Sequence, residues 1–376
     1  MKHSVFFMTL ATIALVSCSK DETTGINQGC GIEFRPAIGK TTRAAETTTA
    51  NLKEIHVVAF NEAGERVFSD VFKKEADPST FWTAAPNSYF WPSDGSQYSF
   101  PVYSPSATEL GGTVTLTKDE KKLSGYSPAA GMNDQKDFVV AYNTGSKTNE
   151  EAGVPLLFKH ALSQIQINAK NANGGYIFKV KGVRIGKVGS KGDFTFPLQE
   201  TKANESLAAD SWTLDADNTK ANYQSEYDTE IVLKADAQVL MGDNGNAMLI
   251  PQQLTAWNSK DDLKNTTGGA YLAVKVNITT KDGGQIYPAK VGEYDWTAVA
   301  IGTNWEAGKK YVYTLNFTDG AGKVDPEKPD PTDPTDPFNP GEDITGGKIK
   351  FTVRGGRMDR NPSGCRNVIS PLVFLS

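Results

Sequence analysis

The chain has 376 residues, with 39 Lys and Arg against 44 Asp and Glu and a formal net charge of −5. That length is enough to bury two cores rather than one. The mild acidity, with no basic patch interleaved with aromatics, excludes nucleic acid as a partner.

Met1-Lys2-His3 places positive charge ahead of an apolar run over residues 5–16. A run this short, ending on a small residue, predicts a secretory signal peptide over 1–17 and not a spanning helix. Leu15-Val16-Ser17-Cys18 sets a cysteine at the first mature position. It resembles a bacterial lipobox, in which the cysteine sulfur is lipidated and the new amine acylated; an ordinary signal with an incidental cysteine is the alternative. Acyl chains stabilise membrane attachment by roughly 0.8 kcal/mol per buried CH₂. Ser19-Lys20-Asp21-Glu22 is similar to the export signal that sends Bacteroidota lipoproteins to the outer face of the outer membrane. The cysteines are Cys18, Cys30 and Cys365, so residues 31–364 contain none. The fold is therefore expected to rest on burial and sheet hydrogen bonding, not on disulfides.

Ile32 and Phe34 alternate with Glu33 and Arg35, which predicts a short strand. Shortly after it comes Arg43, a lone basic residue among small hydroxyl residues that a protease could grip. Period-two alternation then dominates. Ile55, Val57 and Ala59 share one face of KEIHVVAF (53–60), and Tyr98, Phe100 and Val102 share one face of YSFPVY (98–103). Ile165 and Ile167 oppose Gln164, Gln166 and Asn168; Leu272, Val274, Val276 and Ile278 line one side of a later strand. Tyr311, Tyr313, Leu315 and Phe317 oppose Val312, Thr314 and Asn316. Glycine-rich turns separate these runs, and long stretches of helical period are absent. An all-β sandwich class follows.

The polar stretch NTGSKTNEEAG (143–153) predicts a boundary between one sandwich at 44–150 and a second at 151–320. DPEKPDPTDPTDP (325–337) repeats acids and prolines and predicts a semi-rigid spacer over 321–345. Beyond it, Ile349, Phe351 and Val353 alternate in a last strand within 346–376. A lone strand on a stiff leash is unstable in water and has to pair with something. If a cut at Arg43 removes the first strand, it opens a groove that the last strand of another copy can fill. A head-to-tail contact of that kind grows filaments.

Five segments then carry a resemblance: TTRAAETTTANLKEIHVVAF (41–60), YFWPSDGSQYSFPVYSPS (89–106), PLLFKHALSQIQINAKN (155–171), AMLIPQQL (247–254) and NWEAGKKYVYTLNF (304–317). In this order, behind a lipobox, they look like the Bacteroidales fimbrillin family, the type V pilus subunits. The resemblance implies two transthyretin-like β-sandwich domains in tandem and export as a lipoprotein to the outer membrane. It implies an arginine-specific surface protease as a partner, cutting between Arg43 and Ala44 and shedding a propeptide (18–43) that carries Cys18 and the displaced strand of Ile32 and Phe34. It also implies assembly with other fimbrial subunits by strand insertion, with Ile349, Phe351 and Val353 as donor, in support of adhesion.

The carboxy terminus departs from that pattern. Arg354, Arg357, Arg360 and Arg366 crowd residues 354–376, which hold no lysine, whereas Arg35, Arg43, Arg66 and Arg184 are the arginines of everything before. This shift predicts a frameshifted tail with alternation stopping at Val353; a divergent genuine terminus is the alternative. The histidines are His3, His56 and His160, with no zinc spacing between histidines or cysteines, and Asp243-Asn244-Gly245-Asn246 lacks the later acids of a calcium loop. No catalytic, metal or cofactor site is predicted, and the chain is not expected to be an enzyme. A monomeric surface lipoprotein binding glycans on Phe90, Trp91 and the 98–103 aromatics is the competing expectation.

Overall fold

The computed structural model describes residues 31–38, 47–76, 80–242 and 246–358. The signal at 1–17, Cys18, Cys30, Arg43, Ala44, Cys365, residues 243–245 of the calcium-like loop and the tail from 359 lie outside the described residues.

The described chain is nearly all-β. Its strands are β1 (Phe34–Ile38), β2 (Glu54–Phe60), β3 (Arg66–Lys74), β4 (Trp82–Thr83), β5 (Tyr98–Ser104), β6 (Thr113–Leu116), β7 (Lys121–Tyr126), β8 (Val139–Gly145), β9 (Val154–His160), β10 (Ser163–Lys170) and β11 (Tyr176–Gly189). They continue as β12 (Gly192–Thr195), β13 (Trp212–Leu214), β14 (Lys220–Val232), β15 (Gln238–Val239), β16 (Ala247–Leu249), β17 (Tyr271–Thr280), β18 (Gln285–Tyr287), β19 (Asp295–Ala300), β20 (Lys309–Asn316), β21 (Lys323–Val324) and β22 (Lys350–Arg357). One α-helical turn, α1 (Ala107–Leu110), stands between β5 and β6, held by a Ser106/Glu109 capping box.

The first sheet closes on itself in the order β1-β4-β3-β2-β5-β8-β9. A barrel is a sheet wrapped round its own core, and here that core includes Phe34, Ile55, Val57, Phe72, Phe100 and Leu156. The segment between β8 and β9 joins two strands of this same sheet. Two further sheets, β15-β10-β20-β22 and β14-β11-β17-β19-β21, enclose a second core that includes Ile165, Ile167, Val180, Val274, Tyr313 and Leu315.

A fourth sheet, β13-β12-β7-β6, takes strands from both parts of the chain. Beneath it lies a third core, with Phe60, Phe138, Phe194, Phe196 and Met248. That junction explains why β2 is apolar on both faces: Ile55, Val57 and Ala59 point into the barrel, while Val58 and Phe60 join the third core. It also bears on β10, where Gln164 and Gln166 are buried although they oppose Ile165 and Ile167.

β11 departs from simple alternation for a local reason. Phe178 and Val180 point inward, then a register shift between Val180 and Gly182 moves the inward set to Val183 and Ile185. One extra residue in a strand exchanges its faces. A Cβ on Gly182 would lie 3.1 Å from the Ser225 carbonyl oxygen and 3.2 Å from the Trp296 ring, so glycine suits the bulge.

Candidate functional site

The sequence singles out two strands, and the fold gives each a distinct place. β1 closes the barrel by running parallel to β9, with Phe34 opposite Val154 and Ile38 opposite Phe158. The other adjacent pairs in the ring are antiparallel. Val154 N–H donates to the Glu33 carbonyl at 2.8 Å. Odd-numbered residues of β1 therefore turn their backbone groups toward β9, and even-numbered ones turn toward β4. β4 meets β1 only at the Phe34–Trp82 pair. Pro36 thus sits where no ladder donor is needed, which is how a proline fits inside a strand. β1 is ladder-bonded along one flank; on the other it is held at its beginning, where Ile32 N–H also donates to the Tyr89 carbonyl at 2.6 Å, and at its end, where the Ile38 backbone meets the Thr49 hydroxyl.

Side chains anchor β1 in addition to its ladder. Phe34 is fully buried, edge-on to Phe72 at 4.9 Å and to Phe100 at 5.0 Å. Ile32 and Ile38 are buried on the same face. Outside the barrel, the Arg35 guanidinium lies 4.5 Å from the centre of the Phe81 ring. Partial burial and the nearby Glu75 hold the Glu33 carboxyl above its ordinary range, with Arg35 opposing them.

Arg43 and Ala44 lie outside the described residues, but both flanks of their segment are pinned. Ile38 N–H donates to Thr49 Oγ1 at 2.8 Å, and that hydroxyl donates back to the Ile38 carbonyl at 3.1 Å. Thr47 N–H donates to Asp137 Oδ2 at 2.8 Å. The same oxygen lies 2.8 Å from His160 Nδ1, in a pair whose side chains are 2% and 3% exposed. His160 thus has a structural partner that links the end of β9 to the start of the chain after Arg43. Asp137 escaped the sequence reading because its partners are 23 and 90 positions away.

The last strand lies on its own chain. β22 runs antiparallel to β20 in unbroken register, with Asn316 opposite Lys350, Leu315 opposite Phe351, Tyr313 opposite Val353 and Lys309 opposite Arg357. Ile349 is buried in the second core, and Phe351 and Val353 are half-buried against it. Pairing continues past Val353, where alternation ends, because the glycines at 355 and 356 present no side chain to either face. Met358, just after the strand, is buried in the third core, and its N–H donates to the Gly308 carbonyl at 2.8 Å.

The spacer is not a free leash. Residues 319–324 and 341–347 pair as an irregular ladder: Gly347 N–H donates to Asp319, Ala321 to Thr345, Ile344 to Gly322 and Val324 to Glu342. The acid-and-proline repeat is the loop between them.

The aromatics considered for a sugar platform are largely internal. Trp91, Phe100 and Tyr103 are buried, and Phe90 stays 52% exposed. A polar groove of about 390 Å³ lies over β11, β14 and β17. Within it Lys275 Nζ lies 2.5 Å from Glu226, and the Lys181 ammonium lies 5.0 Å from the Tyr294 ring centre. Among the described residues no cluster of His, Cys, Asp or Glu has the arrangement of a metal site, and no helix is long and apolar enough to cross a membrane.

A family model described as fimbrillin-like matches residues 42–328, a span that begins after β1 and ends before β22. No curated protein matches the chain. Among solved structures, a proposed cell adhesion protein from Bacteroides uniformis is similar at 15% identity, covering 88% of this chain and 98% of its own, with a TM-score of 0.46. Another from Bacteroides ovatus, also at 15% identity, covers 77% of this chain and 92% of its own, with a TM-score of 0.42. A fimbrial assembly protein from Parabacteroides distasonis, at 8% identity, covers 91% and 99%, with a TM-score of 0.39.

Proposed function

The chain belongs to the fimbrillin-like family, and on that premise we propose that it is a structural subunit of a surface fimbria, assembled by removal of β1 and insertion of a terminal strand from another copy. It is exported as a lipoprotein through Cys18 to the outer membrane, cut after Arg43 by an arginine-specific surface protease, and joined to other fimbrial subunits in a fibre that serves adhesion. The observation that carries this is the construction of β1: a parallel closing strand, deeply packed, ladder-bonded on one flank, and joined to the barrel through the segment that holds Arg43. Deleting it leaves a slot with apolar pockets and a row of β9 backbone groups without partners, which an extended segment can satisfy.

The two strands also share a pattern. Ile32-Glu33-Phe34 and Ile349-Lys350-Phe351 both read isoleucine, charge, phenylalanine. Ile349 and Phe351 therefore supply the side chains that Ile32 and Phe34 withdraw. Among the described residues, Arg35, Arg66, Arg184, Arg354 and Arg357 all lie in strands. Proteases bind extended chain, and ladder-bonded backbone is not offered to them.

We place the division between the two parts of the chain after β9, whose strand completes the barrel. Mass spectrometry of the protein taken from the cell surface tests the assignment. An amino terminus at Ala44 without lipid supports it, and an intact lipidated Cys18 on all of the protein contradicts it and returns the chain to a monomeric lipoprotein.

A further inference from the structure

The loop between β21 and β22 is tied to the body of the protein at several points. Arg184 Nη1 lies 2.5 Å from Asp325 Oδ2 while its guanidinium stacks 4.2 Å over the Trp296 ring. Lys328 bridges Asp295 on β19 and Asp336 further along the loop, each at 3.1 Å. Phe338 packs edge-on against Tyr287 at 4.9 Å. The ladder between 319–324 and 341–347 closes the base.

We infer that this acidic, proline-rich loop is a charge-fastened strap whose opening governs whether β22 stays on its own β20 or reaches another subunit. The inference rests on the strand-donation reading above and adds the device that controls it.

Reach is the physical reason. With the base ladder closed, only the residues between Gly347 and Lys350 separate β22 from the anchored body, about 10 Å of chain. With the strap open, residues 325–349 at ~3.1 Å each extend roughly 75 Å, more than a small domain's width. β22 therefore cannot serve a neighbour until the strap lets go.

The fastening suits a reversible role. Arg184 and Asp325 are 12% and 5% exposed, and burial pushes the Asp325 carboxyl above its ordinary range against the pull of Arg184. In a buried pair the attraction is offset in large part by the cost of desolvation, so the pair holds the strap closed by a small margin that can be lost. The proline repeat has no ladder of its own to keep it down, and once free it is already extended.

The test uses the full chain with Cys30→Ser and Cys365→Ser, trimmed by an arginine-specific protease. Lys323→Cys with Asp343→Cys staples the strap base, because these residues face each other across an antiparallel bridge. Thr314→Cys with Thr352→Cys staples β22 to β20. Oligomer ladders on gels are compared before and after reduction. The strap staple is expected to abolish laddering when oxidised, with recovery on reduction. Laddering that persists with the strap stapled but stops with β22 stapled overturns the strap and leaves strand donation standing. Laddering that persists with both staples, or that the parent protein never shows, overturns strand donation and the strap with it. Arg184→Gln with Asp325→Asn removes both charges without stranding either, and is expected to speed assembly several-fold; an unchanged rate contradicts the inference.

Discussion

Ile38 and Thr49 exchange two hydrogen bonds across the segment that carries Arg43: the Ile38 amide donates to the Thr49 hydroxyl at 2.8 Å, and the hydroxyl donates back to the Ile38 carbonyl at 3.1 Å. One side chain thereby ties the last residue of β1 to the chain that remains after cleavage. Thr49→Val keeps the branched shape and removes both bonds. It is expected to cost the unprocessed protein about 1 kcal/mol. The processed protein, which has no β1, is expected to lose nothing. Denaturant midpoints of the two forms measure this, and an equal loss in both would assign Thr49 a role unrelated to β1.

Phe34→Ala tests whether side chains anchor the closing strand. The ring is fully buried between Phe72 and Phe100, and its removal leaves a cavity that the barrel cannot collapse without moving both neighbours. The expected loss is about 3–5 kcal/mol in the unprocessed form. Hydrogen exchange along β1 and β9 is expected to accelerate, while amides of β17 and β19, in the other part of the chain, keep their protection. Protection lost equally in all four strands would mean that the barrel and the second core unfold as one unit.

The alternation of Ile55, Val57 and Ala59, of Phe100 and Val102, and of Tyr311, Tyr313 and Leu315 placed β2, β5 and β20 in the sequence because period two is a property of a few neighbouring residues. The partners of those strands were not legible. That β1 runs parallel to β9 depends on residues about 120 positions apart, and nothing in Phe34 or Val154 alone names the other. The bulge at Gly182 shifts the inward set of β11 and so disguises a long strand as two broken patterns. The acid-and-proline repeat reads in the sequence as a semi-rigid spacer because proline favours extended chain without regular pairing. Its docking is set instead by Arg184, Lys328 and Tyr287, which lie outside it. The two strands central to the proposed assembly were visible as Ile-x-Phe runs, although both fall outside the family match at 42–328.

Glu33 gives β1 a pH dependence with a definite sign. Partial burial, aided by Glu75 and opposed by Arg35, raises its carboxyl above the ordinary value of 4.5. The folded state then holds the proton more tightly than the unfolded chain, so stability falls as pH rises from 4.5 through the raised value. Glu33→Gln removes that fall. The variant is expected to match the parent below pH 4.5 and to be slightly more stable at pH 7, by a small margin because solvent screens a half-exposed group. Thermal melts of the unprocessed protein at the two pH values check this; a variant less stable than its parent at pH 7 would show that the charge of Glu33 is favourable in place.

Phe351→Asp separates the two lives proposed for β22. On its own chain Phe351 is half-buried at a sheet edge, opposite Leu315 and 6.1 Å from the Tyr313 ring, so a carboxylate there can turn toward water. The monomer is expected to lose about 1–3 kcal/mol and stay folded. In the slot vacated by β1 the same residue would have to replace Phe34 between Phe72 and Phe100, where an unpaired charge is far more costly. Assembly is therefore expected to disappear while the circular dichroism of the monomer is kept. Thr352→Asp, on the exposed face of the same strand, is expected to assemble like the parent. If Phe351→Asp ladders as well as Thr352→Asp, the apolar face of β22 is not what enters the neighbouring subunit, and the donor has to be sought elsewhere in the chain.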